Sequence, residues 1–490
     1  MTEIQTATST LFTLTTAPPF DQESVIWVLV VGMILGFLLA AAMGANDVAN
    51  TFGTTVGSGT LTLSQAYILA SFFEALGAIL VGWSVTDTLR KGVVDTTMFA
   101  DSPKELMIGQ IAALGGCAAW LTLATLLGMP VSTTQSIVGG TLGYSLVLRG
   151  LQGIRWKKLL HIVMSWFISP LTSGAISSMF YVFVDVAVLR RESPFVWGMR
   201  LLPLFYFLCI SFNVFIVTWK GSKLLRFDRI PFWASFLLGI GCGLIAAVIV
   251  QFLLKPYILR KIGGSSFTEN VSDNVTSTLS STDDTITANS SRQDTHGRGS
   301  KSHFFIMIIS SKDISLPGSR TSYDLIGLRS SQTNDHKALQ LFAAVQVFTA
   351  CFAGFAHGAQ DISNAVAPVA TVISIYSNKS PYQKEEVPLY VIGYGILGSC
   401  IGLWTFGDRV ITTIATKVSK INAASGFTIE FGAALTSLLA SKLGLPISTT
   451  HCLVGSVVAV GCVRSSGPTK WSLLRNIAMS WILTIPASGI

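Results

Sequence analysis

Long apolar runs, separated by short polar connections, occupy most of the chain. A membrane-spanning helix needs roughly 20 mostly apolar residues, and the pattern predicts such helices along the whole sequence. Their approximate ranges are 25–43, 65–86, 160–186, 198–218, 232–254, 338–356, 387–406 and 473–490.

Two further apolar runs, 106–148 and 424–462, are too long for a single crossing. Each is interrupted near its centre by a proline followed by Ser and Thr residues. This pattern is typical of a re-entrant hairpin, in which two half-helices meet inside the bilayer. With these hairpins, the sequence predicts an all-α polytopic membrane protein with about 10–12 membrane segments.

Three short motifs occur twice, in the same order and with nearly the same spacing between copies. Because chance similarity would not preserve both order and spacing, we infer that the chain contains two copies of one unit. Three predicted crossings in the first copy and two linker helices precede the second copy, so the two repeats should be inverted relative to each other. The motifs are GANDVAN (44–50) and GAQDISN (358–364), GMPVSTTQSIVG (128–139) and GLPISTTHCLVG (444–455), and MSW (164–166 and 479–481).

The sequence between the copies changes in character. It becomes rich in Ser, Thr, Asn and Asp and poor in large apolar residues, which predicts a disordered loop. The second copy reaches its Ser-Gly pair at Ser488 and ends at Ile490, so we expect a short last helix and leave open whether the C-terminus is truncated. The predicted organisation is a polar N-terminal tail (1–24), a first repeat (25–186), linker helices (187–262), a polar disordered loop (263–336) and a second repeat (337–490).

Composition agrees with a membrane location. Only 12% of the 490 residues are Asp, Glu, Lys or Arg, whereas soluble domains contain about 25%. The net charge of +8 comes from basic residues between the apolar runs, which indicates membrane-flanking positions and not a nucleic-acid surface. The seven cysteines occur singly in or beside apolar segments, so the sequence predicts neither a disulfide framework nor a zinc site.

Each first motif places a carboxylate and an amide three residues apart, as Asp47 with Asn50 and as Asp361 with Asn364. At this spacing both side chains lie on one face of a helix. An ionised carboxylate inside a bilayer costs about 2.5–3.5 kcal/mol on insertion scales. The carboxylate oxygens of the Asp and the amide oxygen of the Asn are ligands that would bind Na⁺ or a proton. The alternative is that each Asp caps a helix end at the membrane surface.

Each second motif places three hydroxyl residues after a proline. Proline is favoured in the first turn of a helix, and the residues that follow present free N–H groups and hydroxyls at the positive end of the helix dipole. Two such segments facing each other would enclose a tetrahedral oxyanion, although ordinary Ser/Thr capping of a kinked helix is the alternative. The residues are Ser132, Thr133, Thr134, Ser448, Thr449 and Thr450.

Four other ionisable residues lie in apolar surroundings. Glu74 and Glu430 occupy different places in the two copies, and each is a candidate for cation or proton coupling or for pairing with a buried donor. His357 and His451 have no histidine counterpart in the first copy, so they stand outside the duplicated chemistry. His357 is a candidate for tuning proton sensitivity, whereas His451 is expected to have a packing role.

The paired motifs resemble those of the inorganic phosphate transporter (PiT) family, whose animal members are sodium–phosphate symporters. The resemblance covers about 25–260 and 338–490, and one departure is Gln360 where the first copy has Asn46. It implies an inverted-repeat transporter with the N-terminus outside and a large cytoplasmic loop. It also implies phosphate binding by the six hairpin hydroxyls, Na⁺ binding by the Asp/Asn pairs and a part in transport for Glu74 and Glu430.

We therefore expect a secondary active transporter that carries inorganic phosphate with Na⁺ across the plasma membrane by alternating access, with no enzymatic step and no cofactor. Expected partners are phosphate, Na⁺ and the lipid bilayer, not nucleic acid, and a homodimer is left open. The alternatives are an H⁺-coupled phosphate or sulfate transporter, an anion channel, and an intramembrane hydrolase that uses Ser448 with His451. The absence of a histidine beside the first hydroxyl cluster argues against the hydrolase.

Overall fold

The computed structural model describes residues 20–219, 221, 226–260, 336–414, 421–464 and 471–490. Most of the predicted N-terminal tail and nearly all of the predicted polar loop lie outside these residues. The predicted domain boundaries therefore stay predictions.

Helices account for most of the described residues. The first part of the chain forms α1 (Ile26–Asp47), α2 (Ala49–Gly57), α3 (Leu63–Leu80), α4 (Trp83–Gly92), α5 (Pro103–Leu126), α6 (Thr133–Arg149), α7 (Trp156–Val184), α8 (Pro194–Thr218) and α9 (Phe232–Ile249). The second part forms α10 (His336–Gln360), α11 (Ile362–Asn378), α12 (Leu389–Thr413), α13 (Ala423–Lys442), α14 (Thr449–Arg464) and α15 (Trp471–Gly489).

Nine helical segments in the described part of the chain are long and apolar enough to cross a membrane. Two of them, Glu23–Gly57 and Lys337–Asn378, each join two of the helices above across an interruption. A shorter apolar helix is Thr449–Arg464. The predicted all-α polytopic membrane fold is confirmed.

The two interrupted helices, α1–α2 and α10–α11, run antiparallel. At the start of α1–α2, the Gln22 side chain donates a hydrogen bond to Tyr376 O near the end of α11 (2.7 Å). Just beyond the end of α2, Ser58 Oγ donates to Gln346 Oε1 in the first half of α10 (2.7 Å). The order of these two contacts along the two interrupted helices is that of an antiparallel pair. The full inverted relation of the two repeats stays a prediction.

The two halves exchange their last helices. The first-copy helix α7 packs against α13 and α14, and the second-copy helix α15 packs against α5 and α6. Small hydroxyl side chains line both contacts, with Ser173 Oγ 2.6 Å from Ser456 Oγ and Ser136 Oγ 2.8 Å from Ser488 Oγ. Each hairpin is thus held by the last helix of the other copy.

The two hairpins turn in the same way. Helices α5 and α13 are followed by Gly128 and Gly444, both with φ of 65°, a left-handed conformation that glycine adopts without a Cβ penalty. The N–H of the residue after each glycine bonds back to the carbonyl of Ala124 or Ala440 at 2.9 Å, which closes the helix end. The interruptions predicted in both apolar runs are confirmed.

Glycines let the interrupted helices approach their neighbours at backbone distance. A Cβ added at Gly402 on α12 would lie 1.7 Å from Ala41 O on α1, and one added at Gly358 on α10 would lie 1.9 Å from Glu74 O on α3. No side chain fits at these contacts. They hold the ends of α1 and α10, where the Asp motifs lie, against the helix bundle.

Candidate functional site

Both Asp motifs lie where a long helix is interrupted. Helix α1 ends at Asp47 and is separated from α2 by the single residue Val48, and Asp361 separates α10 from α11. An interrupted helix frees backbone polar groups at membrane depth, which is tolerated where they are buried in protein or line a cavity. The two aspartates are 0% and 1% exposed. They are therefore buried within the helix bundle and do not cap helix ends at its surface.

The Asp–Asn pairing predicted from the spacing is present in both copies. Asn50 Nδ2 donates to Asp47 Oδ1 at 3.0 Å, and Asn364 Nδ2 donates to Asp361 Oδ1 at 3.2 Å. Each amide also reaches a hydroxyl of the other copy, because Asn50 Nδ2 donates to Thr450 Oγ1 at 2.9 Å. The structure thus brings the Asp motif of one copy to the hydroxyl cluster of the other.

The second Asp motif makes more of these contacts than the first. Asn364 Nδ2 donates to the hydroxyls of Thr133 and Thr134, at 3.0 and 3.2 Å. Asp361 accepts from Thr133 Oγ1 at 2.9 Å and from Thr449 Oγ1 at 2.6 Å. One carboxylate therefore contacts a hydroxyl from each hairpin.

The two hairpin tips contact each other through equivalent threonines. Thr134 Oγ1 donates to Ile447 O at 2.9 Å, and Thr450 Oγ1 donates to Val131 O at 3.2 Å. The clusters from the two copies, which the sequence predicted to face each other, lie together.

Ser132 and Ser448 have the capping role that was the alternative interpretation. Each hydroxyl accepts the N–H of the residue three positions later, Gln135 or His451, at 3.2 Å. The N–H groups in the first turn of a helix have no partner within that helix. This contact satisfies one of them at the start of α6 and one at the start of α14. The serines therefore shape the helix ends that the threonine hydroxyls flank.

Several oxygens at the centre of this cluster have no hydrogen-bond donor among the described residues. They are Asp47 Oδ2, Asn50 Oδ1 and Asn364 Oδ1. Leaving a buried polar atom unsatisfied costs about 1–3 kcal/mol, and more for a charged group. Acceptors without donors, gathered around carboxylates, form the kind of environment that a cation stabilises.

His357, which the duplicated motifs left aside, lies in the middle of the site. Its Nδ1 is 3.2 Å from Glu74 Oε1, and its Nε2 is 3.2 Å from Asp361 Oδ2 and 4.0 Å from Asp47 Oδ2. Ligand atoms of Asp47, His357 and Asp361 lie within 4.8 Å of one another. The imidazole thus links the two aspartates to Glu74, and the only signal in the sequence was its position next to the second Asp motif.

Glu430 lies in a separate polar cluster on one side of the site. Its Oε1 accepts from Thr54 Oγ1 and Thr55 Oγ1, both at 2.5 Å, and from Gln346 Nε2 at 3.1 Å. Its Oε2 accepts from Thr349 Oγ1 at 2.8 Å. The interpretation of Glu430 as a carboxylate paired with buried donors is supported. Its four donor residues were missed because none of them has a counterpart at the equivalent position of the other copy.

The departure from the repeat at Asn46 and Gln360 does not change what these side chains do. Asn46 Nδ2 donates to Met129 O at 3.0 Å, and Gln360 Nε2 donates to the equivalent carbonyl, Leu445 O, at 3.2 Å. Both amides hold a hairpin turn against the end of α1 or α10. The extra methylene of Gln360 is thus accommodated without loss of the contact.

His451 packs and does not activate Ser448. Its ring Nδ1 lies 3.0 Å from Trp166 O, and the ring lies 3.9 Å from that of Trp481, centroid to centroid. Its contact with Ser448 is made by the backbone N–H. A Ser–His catalytic pair is therefore not formed, and the packing role expected for His451 is supported.

Buried carboxylates, amides and hydroxyls, gathered at interrupted helices of a multi-pass helical protein, define a membrane transporter. The model of the phosphate transporter family matches residues 43–490. The chain belongs to this family, as the paired motifs predicted, and it is a transporter and not an enzyme.

Curated relatives match over nearly their whole length. Sodium-dependent phosphate transporter 1-A of Danio rerio is 33% identical, with 96% of this chain and 94% of the relative covered. Sodium-dependent phosphate transporter 1 of Mus musculus is 31% identical, with 99% and 97% covered. A solved structure titled "The sodium-dependent phosphate transporter" is similar with a TM-score of 0.74 and 32% identity, with 94% of this chain and 96% of that one covered.

Proposed function

We propose that this protein is a secondary active transporter that carries inorganic phosphate together with Na⁺ across the plasma membrane by alternating access. The observation that carries the proposal is the contact between the Asp motif of each copy and the hydroxyl cluster of the other copy. Each Asp–Asn pair reaches a threonine hydroxyl of the opposite copy. The names of the relatives, sodium-dependent phosphate transporters, support the same substrates.

The cation sites proposed here use the acceptors that lack donors. Asp47 Oδ2 and Asn50 Oδ1 offer two free oxygens in the first copy, and Asn364 Oδ1 offers one beside Asp361 in the second. A Na⁺ ion at each pair would neutralise a buried carboxylate and satisfy the amide oxygen at the same time. Helix interruptions supply such oxygen ligands in other transporters.

The phosphate site proposed here lies between the starts of α6 and α14. Both helices begin directly after a capping serine, and their first N–H groups point away from the helix body. Phosphate at this place would accept hydrogen bonds from Thr133 and Thr449 and would lie at the positive end of two helix dipoles. Thr134 and Thr450, which bond across the tips, would hold the two halves of the site in register.

The present contacts of Asp361 give a physical reason for Na⁺ to bind first. Thr133 Oγ1 and Thr449 Oγ1 both donate to this carboxylate, so an anion that needs the same hydroxyls competes with it. Asp361 would also repel the anion at short range. A Na⁺ ion bound by Asp361 removes the repulsion and frees the two hydroxyls for phosphate.

Glu74, His357 and Glu430 are proposed to couple cation binding to the movement of the repeats. His357 contacts Glu74 on α3 and Asp361 at the start of α11, so a change of charge at Asp361 alters a contact between the two copies. Glu430 on α13 likewise accepts hydrogen bonds from hydroxyls on α2 and on α10. Both glutamates thus join elements that alternating access would move apart.

The test of the proposed function is uptake of radiolabelled phosphate by cells that express the unaltered chain, Asp47→Asn, Asp361→Asn or Asp408→Asn. Asp408 lies exposed on α12 and serves as a matched control. We expect Asp408→Asn to transport normally and both site variants to reach the cell surface without Na⁺-dependent uptake. Normal uptake by both site variants would contradict the proposal.

A further inference from the structure

A small cavity lies beside the site, between α4, α5, α6 and α11. Its volume is about 10 Å³, which is close to the space that a single water molecule needs. On α6 and α11 its lining begins one turn after Thr134 and Asn364, at Ile137 and Ala367. The cavity therefore lies about one helical turn from residues of the proposed site.

The polar part of the lining contains one charged side chain, Arg90. The other polar residues around the cavity in the described part of the chain are hydroxyl or amide residues: Thr96, Gln110, Thr141, Tyr144 and Thr371. The Arg90 side chain is 1% exposed. A buried guanidinium stays charged and needs partners for all its N–H groups.

The partners of Arg90 leave part of its guanidinium unsatisfied. Its Nη1 donates to Glu385 O at 3.1 Å and its Nη2 to Gln383 Oε1 at 2.7 Å. Its Nε has no acceptor among the described residues. A buried charged donor without an acceptor, at a cavity next to an anion site, indicates a place that an anion oxygen can take.

Two carboxylates lie near Arg90, and one of them also contacts a second cation. The carboxylate oxygen nearest to Arg90 is Asp87 Oδ1 at 3.4 Å, and the same carboxylate lies 3.1 Å from Lys91 Nζ. The carboxylate of Glu385 also lies close enough to attract the Arg90 guanidinium. Two other basic side chains near this face have their own acids, since Arg149 pairs with Glu105 at 2.7 Å and Arg155 with Asp95 at 3.0 Å.

We propose that this cavity is the closed form of a vestibule in which transported phosphate contacts Arg90 as it passes between the hairpin tips and this face. The proposal rests on the proposed phosphate transport. The cavity is too small for phosphate in this conformation, so the vestibule forms only when the helices around the cavity move apart. Arg90 then offers its free Nε–H to the anion and raises the local anion concentration.

The alternative is that Arg90 only braces α4 against the connection at 383–387. Its two bonds to that connection fit such a role. The two interpretations differ in what they predict for the electrostatic potential inside an open vestibule, which a reporter thiol measures without any need for transport.

The experiment uses Thr371→Cys in the full chain, reconstituted in liposomes. Thr371 lines the cavity, and the lining contains no cysteine among the described residues. An anionic and a cationic methanethiosulfonate reagent are applied to each side, with the chain lacking the new cysteine as background. We expect the ratio of anionic to cationic labelling rates to be higher for Thr371→Cys than for a free thiol in solution. We also expect both reagents to label this cysteine more slowly when Na⁺ and phosphate are present.

Arg90→Gln and Lys91→Gln, each combined with Thr371→Cys, separate the two interpretations. Both remove one positive charge beside Asp87, but the Lys91 side chain is 37% exposed and is not part of the lining. We expect Arg90→Gln to lower the anionic-to-cationic rate ratio at least tenfold, and Lys91→Gln to change it less than threefold because solvent screens its charge. Arg90→Lys should keep the ratio and weaken the protection by phosphate, since the ammonium lacks the guanidinium fork.

Three results would overturn the proposal, the third being decisive if one variant fails to fold. One is a Thr371→Cys thiol that neither reagent reaches from either side, with or without Na⁺, since the vestibule then never opens. Another is an unchanged rate ratio in Arg90→Gln, which leaves Arg90 as a brace. If Arg90→Gln does not fold, an absence of phosphate protection in Thr371→Cys with Arg90 present also overturns it. If the unaltered chain shows no Na⁺-dependent phosphate uptake, the proposed function is overturned instead. Failure of the vestibule proposal and failure of the proposed function are therefore distinguishable.

Discussion

At the scale of single residues, the two threonines that donate to Asp361 give the most direct prediction. Thr449→Val keeps the shape of the side chain but removes the hydroxyl that lies 2.6 Å from Asp361 Oδ2. Hydrogen bonds to charged groups contribute about 1.5–3 kcal/mol, so we expect the KM for phosphate to rise roughly 10- to 100-fold. Thr449→Ser retains the hydroxyl and should stay within about threefold of the unaltered chain.

The measurement is initial uptake as a function of phosphate concentration at saturating Na⁺. Thr405→Val is the matched control, because the hydroxyl of Thr405 bonds, within the described part of the chain, only carbonyls of its own helix, and the residue is exposed. An unchanged KM in Thr449→Val would show that this hydroxyl does not bind phosphate.

Glu430 gives a second prediction at this scale. Glu430→Gln removes the negative charge but keeps a side chain that the surrounding hydroxyls can still bond. We expect the variant to fold and the Na⁺ concentration for half-maximal uptake to rise at least about tenfold, because a carboxylate that attracts Na⁺ is lost. The measurement is phosphate uptake against Na⁺ concentration.

The control for Glu430→Gln is Glu105→Gln. Glu105 pairs with Arg149 and its side chain is 44% exposed, and exposed ion pairs contribute little, about 0–1 kcal/mol. The Na⁺ dependence of Glu105→Gln should match that of the unaltered chain. If Glu430→Gln also matches it, Glu430 has a structural role only.

The sequence identified the residues of the site that occur in both copies. An internal duplication can be detected in a single sequence. It identified the Asp–Asn pairs and the hydroxyl clusters that the structure brings together. Thr54 and Gln346 have no such counterpart, so nothing separated them from ordinary polar residues of a helix. His357 also lacks a counterpart, and only its position next to the second Asp motif made it a candidate. Arg90 was missed because an arginine near the end of a helix usually lies at the membrane surface.

At the scale of elements, the contact between α1 and α12 gives a prediction about folding. Gly402→Ala places a methyl group 1.7 Å from the Ala41 carbonyl oxygen, and backbone atoms cannot move aside easily. Overpacking of this kind costs about 1–3 kcal/mol, so we expect a lower thermal unfolding temperature in detergent. Gly393→Ala on the same helix meets no atom within 4 Å and is the control.

The outcome that contradicts this prediction is equal stability of the two alanine variants. It would mean that α12 shifts away from α1 at no cost, and that the close approach does not fix the position of the first Asp motif.

Hydrophobic run lengths predicted where helices lie but not where they end. The first run was expected at about 25–43, whereas α1 continues to Asp47 and α2 extends the segment to Gly57. The polar residues of this extension are buried against other helices, as Asn50 and Thr54 are. Hydropathy alone does not distinguish a polar residue buried in protein from one at the membrane surface. The sequence therefore predicted the end of a helix where the structure has an interrupted helix.

At the scale of the whole molecule, the conformation described is closed on both sides of the site. Asp47, Asp361, Thr133 and Thr449 are at most 7% exposed. The hairpin tips contact each other, and the last helix of each copy holds the hairpin of the other. Transport therefore requires that contacts between copies change, and the exchange of α7 and α15 means that each hairpin would move with a helix of the opposite copy.

The central claim is that a Na⁺ gradient drives phosphate through this duplicated site. The most direct measurement is uptake of radiolabelled phosphate into proteoliposomes that contain the purified chain, with Na⁺ outside and then with choline in its place. We predict accumulation above the equilibrium level with Na⁺ only, blocked by excess unlabelled phosphate but not by sulfate. Equal uptake in choline, or uptake that follows only an imposed pH gradient, would contradict this claim.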